Sequence, residues 1–411
     1  MSATSSPLLD PDVALQRLLA AARPLAATQT LPTLQALGRV LAQDVRATID
    51  VPPADNTAMD GYAVRCADVP AAGTRLRVSQ RIPAGAVPQP LQPATAARIF
   101  TGGLIPDGAD AVVMQERCRG EGQTVVIDTV PVRGEWVRRR GLDVAAGSIV
   151  LAVGQRLRPQ DLGLAASVGV AQLTVRAKPR VAIAFTGDEL AMPGEPLRPG
   201  AIYNSNRFVI HSLLQAAGCE VIDLGIVPDR LDATRQMLRQ AALQADLIVS
   251  TGGMSVGEED HVKPAVHAEG ALDLWQIALK PGKPLAFGHV RRQPGQGEAA
   301  FIGLPGNPVS SFVTFLLFVR PYLLALQGAK DTAAVALPVR AAFDWPKPDR
   351  RREFLRVRLN AQGEAELFAS QNSAVLTSTV WADGLVDNPP QQVIRRGDVV
   401  RYLPFCSLLQ G

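Results

Sequence analysis

Lysine is scarce in this 411-residue chain: only six occur among 42 basic residues, the first at Lys178. Cysteine is scarcer still. Cys66, Cys118, Cys219 and Cys406 are scattered without paired spacing, which excludes a disulfide framework or a cysteine zinc site as an organising feature. His211, His261, His267 and His289 match no ligand pattern either. No apolar run reaches the ~18 residues of a membrane span. Met1 to Asp12 lacks the basic and apolar regions of a secretory signal, so the expectation is a cytoplasmic protein with no membrane partner. Aromatics make up 5% of the residues and rarely accompany basic ones, and a net charge of +4 is small for this length, which argues against dedicated nucleic-acid binding. What remains is an ordinary globular composition, long enough for about two to four domains.

The few lysines are informative by position. Lys263, Lys280 and Lys283 fall within one short region, and a compact ammonium suits an oxyanion. That region begins at Asp246, where Leu247, Ile248 and Val249 read as a parallel strand covered on both faces. Thr251, Gly252 and Gly253 follow at its carboxyl end, the edge at which doubly wound sheets bind ligands, and glycines there let backbone N–H groups approach an anion. Glu258, Glu259 and Asp260 come next, at the expected start of a helix. They complement the helix dipole or hold a divalent cation that bridges to a phosphorylated ligand.

From the start of the chain, helical periodicity covers 11 to 22 and a second helix is expected near 33 to 42. Residues 51 to 64 break that pattern with prolines and a turn at Asp60-Gly61. The stretch 62 to 145 reads β-rich, with a glycine-rich turn at Thr101-Gly102-Gly103 and three arginines, Arg138 to Arg140, close before Asp143. These arginines form a solvated run or an anion-lined patch. A helix is expected near 159 to 168.

From Arg180 strand and helix alternate: Val181 to Phe185, a helix at 205 to 217, Val221 to Gly225 ending near Asp229, a helix at 231 to 244, then the strand at 247. The pattern predicts a parallel α/β sheet whose polar turns gather at one edge. Lys280-Pro281-Gly282-Lys283 is one such turn; Pro305-Gly306-Asn307-Pro308 is another, with Asn307 as N-cap and Pro308 as first residue of an apolar helix that includes Ser310. Beyond 338 the pattern returns to β, consistent with a small barrel.

Six motifs in order resemble one family, the molybdopterin molybdenumtransferases, relatives of the gephyrin E domain: Asn56 to Val64, Thr101 to Glu116, Thr186 to Leu190, Thr251 to Lys263, Lys280 to Gly288 and Leu304 to Ser311. Arg351 to Val357 and Ala382 to Leu385 also look like its last domain. The resemblance implies an α/β multidomain fold: a helical and mixed unit from 1–47 and 146–178, an inserted β domain at 48–145, a central molybdopterin-binding domain at 179–329 and a C-terminal β-barrel at 330–411. It implies a homodimeric transferase of molybdenum cofactor biosynthesis that uses molybdate, adenylylated molybdopterin and Mg²⁺ and releases AMP. The site is expected between the central and last domains of one subunit and the β domain of the other.

Carried over by motif, the functional acids are Asp60, Asp143, Glu189, Asp229 and Asp260, with Thr101 nearby; Glu189, Asp229 and Asp260 are the metal candidates. Ser255, Lys280, Lys283, Arg351 and Ser373 are expected to face molybdate, and Thr251, Gly252, Gly253, Pro305, Gly306, Asn307, Pro308 and Ser310 are further substrate-binding candidates. The family also implies the molybdopterin adenylyltransferase and molybdoenzyme-maturation proteins as partners. Competing readings are molybdopterin adenylylation by the central domain and a non-catalytic interaction scaffold.

Overall fold

The structure, a computed structural model, describes residues 8–253, 261–293, 295 and 297–409. Its largest core is a six-stranded sheet in the order Glu220–Val227, Arg180–Thr186, Leu247–Thr251, Glu298–Leu304, Pro284–Arg291, Gly270–Gln276. Alternate residues of the central strands serve opposite faces, as the period of a strand requires. Val181, Ile183, Leu247, Val249 and Ile302 pack with helix Ser205–Ala216 and the apolar helix that starts at Pro308. Ala182, Ala184, Ile248 and Phe301 pack beneath Leu231–Gln244 and Val262–Glu269. Both faces are therefore dry, which explains the uninterrupted apolar runs.

The sheet is mixed rather than wholly parallel. Its first four strands are parallel, but Pro284–Arg291, a strand the sequence reading did not include, runs antiparallel to both neighbours. Two strands joined by a short link are antiparallel by geometry, and only seven residues separate Gln276 from Pro284. The consequence favours the expected placement: the Lys280 turn precedes a reversed strand and so lies at the same edge as the carboxyl ends of the parallel ones.

Helix Pro308–Thr314 continues through a wider π segment, Phe315–Val319, into Arg320–Leu326. Pro321 lacks the N–H that a regular ladder needs, which suits the local widening. These 19 residues are long and apolar enough to cross a membrane, yet 89% of the window is buried in the core. Ser310, Ser311, Thr314 and Arg320 interrupt the run, so the sequence alone does not show it as one span.

The C-terminal strands Leu337–Arg340, Arg352–Leu359, Gly384–Asn388 and Val399–Pro404 form a second sheet, with Ala365–Leu367 beside Arg352–Leu359 and one bridge from Ala341 back to Ala365. Phe354, Leu385, Leu403 and Phe405 join the core of the central sheet, and the Phe405 ring meets Phe312 edge-on at 5.4 Å. This shared core fixes the cleft between the two sheets. Residues 61–127 build a separate six-stranded β-sheet. The chain leaves for it and returns through antiparallel pairs, Thr28–Pro32 with Gln172–Arg176 and Val45–Arg46 with Ile149–Leu151. The helix expected near 33 to 42 is only a 3₁₀ turn, Thr33–Gln35. Gly38, at φ 73°, turns the backbone out of a helix, and Val40 and Leu41 then bridge to Arg156 and Val175.

Candidate functional site

Glycine geometry opens the site. Gly252 and Gly253 have φ of 89° and 64°, and a β carbon on Gly252 would lie 2.3 Å from the Thr186 carbonyl oxygen. No other residue fits that turn. Opposite it, a β carbon on Gly306 would come within 3.9 Å of Gly252 Cα, so the two turns nearly touch. Asn206 holds the second turn by donating from Nδ2 to the Gly306 carbonyl at 2.8 Å, while its Oδ1 accepts from Ser311 Oγ at 3.2 Å. Asn307 is the N-cap residue in position but not in function: its side chain makes no capping hydrogen bond. The Val309 N–H instead donates to the Ser373 carbonyl at 3.0 Å, which anchors the last domain's loop at the helix start.

These turns wall a cavity of about 720 Å³ lined by Gly252, Gly253, Lys280, Lys283, Pro305, Gly306, Asn307, Ser310, Arg351 and Ser373. A second cavity, of about 590 Å³, shares Gly252, Gly306 and Asn307 with it and adds Glu189, Thr251 and Pro308. The Lys280 turn is bonded to the last domain rather than free, because Leu279–Lys280 pairs with Arg352 and Glu353 as a short parallel strand. Gly282, at φ 114°, passes so close to the apolar helix that a β carbon would sit 2.5 Å from Thr314 Oγ1.

The two turn lysines differ. Lys280 Nζ lies 3.1 Å from Glu353 Oε1 and 3.4 Å from Asp349 Oδ2. Glu353 is 1% exposed, and its other oxygen accepts from Trp345 Nε1 at 2.7 Å and the Asp349 N–H at 3.1 Å. Arg351 is also paired, donating from Nε and Nη2 to the two Asp349 oxygens at 3.0 and 2.9 Å. The Arg351 guanidinium, with its backbone N–H and Lys280 adding to it, holds the Asp349 carboxyl far below the ordinary carboxylate range. Lys283 is exposed and makes no ion pair among the described residues. It is the cation left uncompensated on this wall.

Other sequence-derived candidates lie elsewhere. Thr101 donates from N and Oγ1 to Asp60 Oδ1, both at 2.7 Å, and these bonds pull the Asp60 carboxyl below its usual range. That exposed pair lines neither cavity of the same chain, and nor does Asp143. The expected arginine patch is largely spent, since Arg139 pairs with Asp55 and Arg140 with Asp50. Asp229 donates its N–H to Asp188 Oδ1 at 3.4 Å, so its turn abuts the one that carries Glu189. Ser255 and Asp260 lie outside the described residues. Among the described residues no three His, Cys, Asp or Glu side chains form a ready metal cluster.

Residues 9–169, 182–325 and 338–405 match, in order, the family models for the MoeA N-terminal region (domain I and II), a probable molybdopterin binding domain and the MoeA C-terminal region (domain IV). A molybdopterin molybdenumtransferase of Haemophilus influenzae is 38% identical over 392 residues, 93% of this chain and 95% of the relative. The chain belongs to the molybdopterin molybdenumtransferases. Molybdopterin molybdenumtransferase 2 of Mycobacterium tuberculosis is 37% identical over 388 residues, 92% of this chain and 93% of the relative. The crystal structure of the molybdopterin biosynthesis moeA protein from Pyrococcus horikoshii aligns at a TM-score of 0.84 and 30% identity, covering 97% of this chain and 100% of that one. The multidomain α/β fold is thus that of this transferase family, with mixed sheets in place of a parallel one.

Several residues in and behind the wall of the first cavity were not named by motif. Asp349 and Glu353 stand behind the wall, and their pairing with Lys280 is invisible in sequence because that lysine is 69 and 73 positions away. Gln371 and Asn372 line the cavity beside Ser373. In the second cavity Thr186 Oγ1 and Asn204 Nδ2 are buried without a hydrogen-bond partner among the described residues. Asn204 already spends Oδ1 capping Arg207 N, at 3.1 Å, so only the Nδ2 donor is left over. Unsatisfied buried donors beside a cavity fit a polar ligand.

Proposed function

We propose that this chain inserts molybdenum from molybdate into adenylylated molybdopterin and releases AMP, as a magnesium-dependent homodimer. The observation that carries the reading is the 720 Å³ cavity between two glycine turns, with the uncompensated Lys283 ammonium on its wall. Backbone at Gly252, Gly253 and Gly306 lets a phosphorylated ligand approach closely, since no side chain intervenes. Lys283, with Lys280, Arg351, Ser310 and Ser373 around it, supplies the charge-assisted contacts that a small dianion depends on. Gly252, Gly306 and Asn307 join the cavities, and with Thr251 and Pro308 lining the second they leave room for the larger pterin nucleotide across both.

The donor set also suits Mg²⁺, which takes one or two carboxylates and completes its shell with substrate phosphate oxygens and water. The abutting turns of Glu189 and Asp229 offer two such groups, and Asp260 belongs to the same proposed set. Bound there, Mg²⁺ would neutralise phosphate charge as the AMP leaves. An oxygen of water or molybdate attacks the pterin-side phosphorus, the bond from that phosphorus to the bridging oxygen breaks, and AMP departs with that oxygen, its charge held by the cationic turn. A proton from attacking water passes to solvent, and the two dithiolene thiols bind molybdenum as one oxo group leaves as water, with no change of oxidation state. The Cys66, Cys118 and Cys219 thiols are all pushed up by burial, to about 11, 12 and 12, so a cysteine nucleophile is not part of this proposal.

Because Asp60, Thr101 and Asp143 line neither cavity, the proposal places them against the cleft of a second copy. Incubating the protein with adenylylated molybdopterin, Mg²⁺ and molybdate tests the function. AMP release that depends on molybdate and Mg²⁺ supports it; ATP consumption with pyrophosphate release from MgATP and free molybdopterin instead would favour adenylylation.

A further inference from the structure

We infer that the Asp349 carboxylate is an internal counter-ion that occupies the oxyanion donors of the cavity and so sets how tightly a dianion binds there. The inference rests on reading this cavity as the molybdate site. Its warrant is a match of atoms. Asp349 Oδ1 accepts from the Arg351 N–H and Nε, each at 3.0 Å, and Oδ2 accepts from Nη2 at 2.9 Å with Lys280 Nζ 3.4 Å away. A guanidinium fork and an ammonium are the donors that a tetrahedral oxyanion seeks. An incoming dianion therefore competes with Asp349 for the same N–H groups.

Glu353 does not share this role. It is 1% exposed, and Trp345, the Asp349 N–H and Lys280 occupy its oxygens, so it belongs to the wall. The Asp349 side chain is 19% exposed at the end of the strand pairing that carries Lys280. With two carboxylates set against Lys280 and Arg351, the wall's net positive charge comes from Lys283 alone among the described residues. Neutralising Asp349 while keeping its turn should raise the pull on a dianion.

Asp349→Asn does this, because its amide oxygen can still accept from the Arg351 N–H. Molybdate binding is measured by calorimetry on the full-length protein, with sulfate as a second probe. Removing one negative charge from direct contact should tighten molybdate by at least about ten-fold. Sulfate should tighten by a similar factor, since the effect is one of charge. A carboxylate that only positions Arg351 predicts the opposite sign, weaker binding in the variant. Asp349→Ser, whose hydroxyl can also accept from the Arg351 N–H, gives a second neutral residue should the first variant melt early. Unchanged or weaker binding in the folded variants overturns the inference while leaving the cavity's assignment in place. A wild-type protein that binds no molybdate overturns both.

Discussion

Replacing the two turn lysines one at a time separates a ligand contact from a structural one. Lys283 has no ion partner among the described residues, so Lys283→Ala breaks no ion pair among them. Its expected effect is on the oxyanion alone: one charge-assisted contact is worth roughly 1.5–3 kcal/mol, about ten-fold or more in affinity. Lys280→Ala instead leaves the Glu353 carboxylate, 1% exposed, with neutral donors only. Breaking a fully buried pair costs about 3–5 kcal/mol. Lys280 is 37% exposed, and solvent screening reduces the expected cost to about 1–3 kcal/mol. At about 2–4 °C per kcal/mol for a unit of this size, that is a fall in Tm of several degrees. The assay pairs a molybdate titration of AMP release, at saturating adenylylated molybdopterin, with a thermal melt. Lys283→Ala should shift the titration and keep its Tm, whereas Lys280→Ala should shift both. An unchanged half-saturating molybdate concentration in Lys283→Ala refutes the reasoning for the cavity, and an unchanged Tm in Lys280→Ala refutes it for the Glu353 pair.

Glu269 accepts from Arg235 and Arg239, and chiefly the Arg239 bond lowers its carboxyl from 4.5 to about 2. A folded-state value below the unfolded one means that this group's stabilisation is present above about pH 4.5 and is lost as the pH falls towards 2. Glu269→Gln should therefore melt below wild type near neutral pH, and melts at decreasing pH should show the gap closing over that window; a pH-independent gap would count against it. Sedimentation should show a dimer at working concentration, because the Asp60–Thr101 turn lines neither cavity of its own chain; a stable, fully active monomer would end the shared-site proposal.

Local pattern determined much of this protein before any contact was known. Helix Leu231–Gln244 and strand Leu247–Thr251 follow from periodicity and from a buried apolar run, and the glycines at 252, 253 and 282 mark where the backbone must turn tightly. Motif order was enough for the family, because six short stretches in sequence are specific even though each is weak. Tertiary structure decided what local pattern does not encode. The reversal of Pro284–Arg291 depends on a short link and a neighbour's free edge, so no periodicity reports it. Likewise, Lys280 and Lys283 look equivalent in a Lys-Pro-Gly-Lys turn. One is neutralised and the other is not, because a strand pairing brings Glu353, 73 residues away, beside the first of them. Charge in a site is a property of three-dimensional neighbours, and sequence supplies only the candidates.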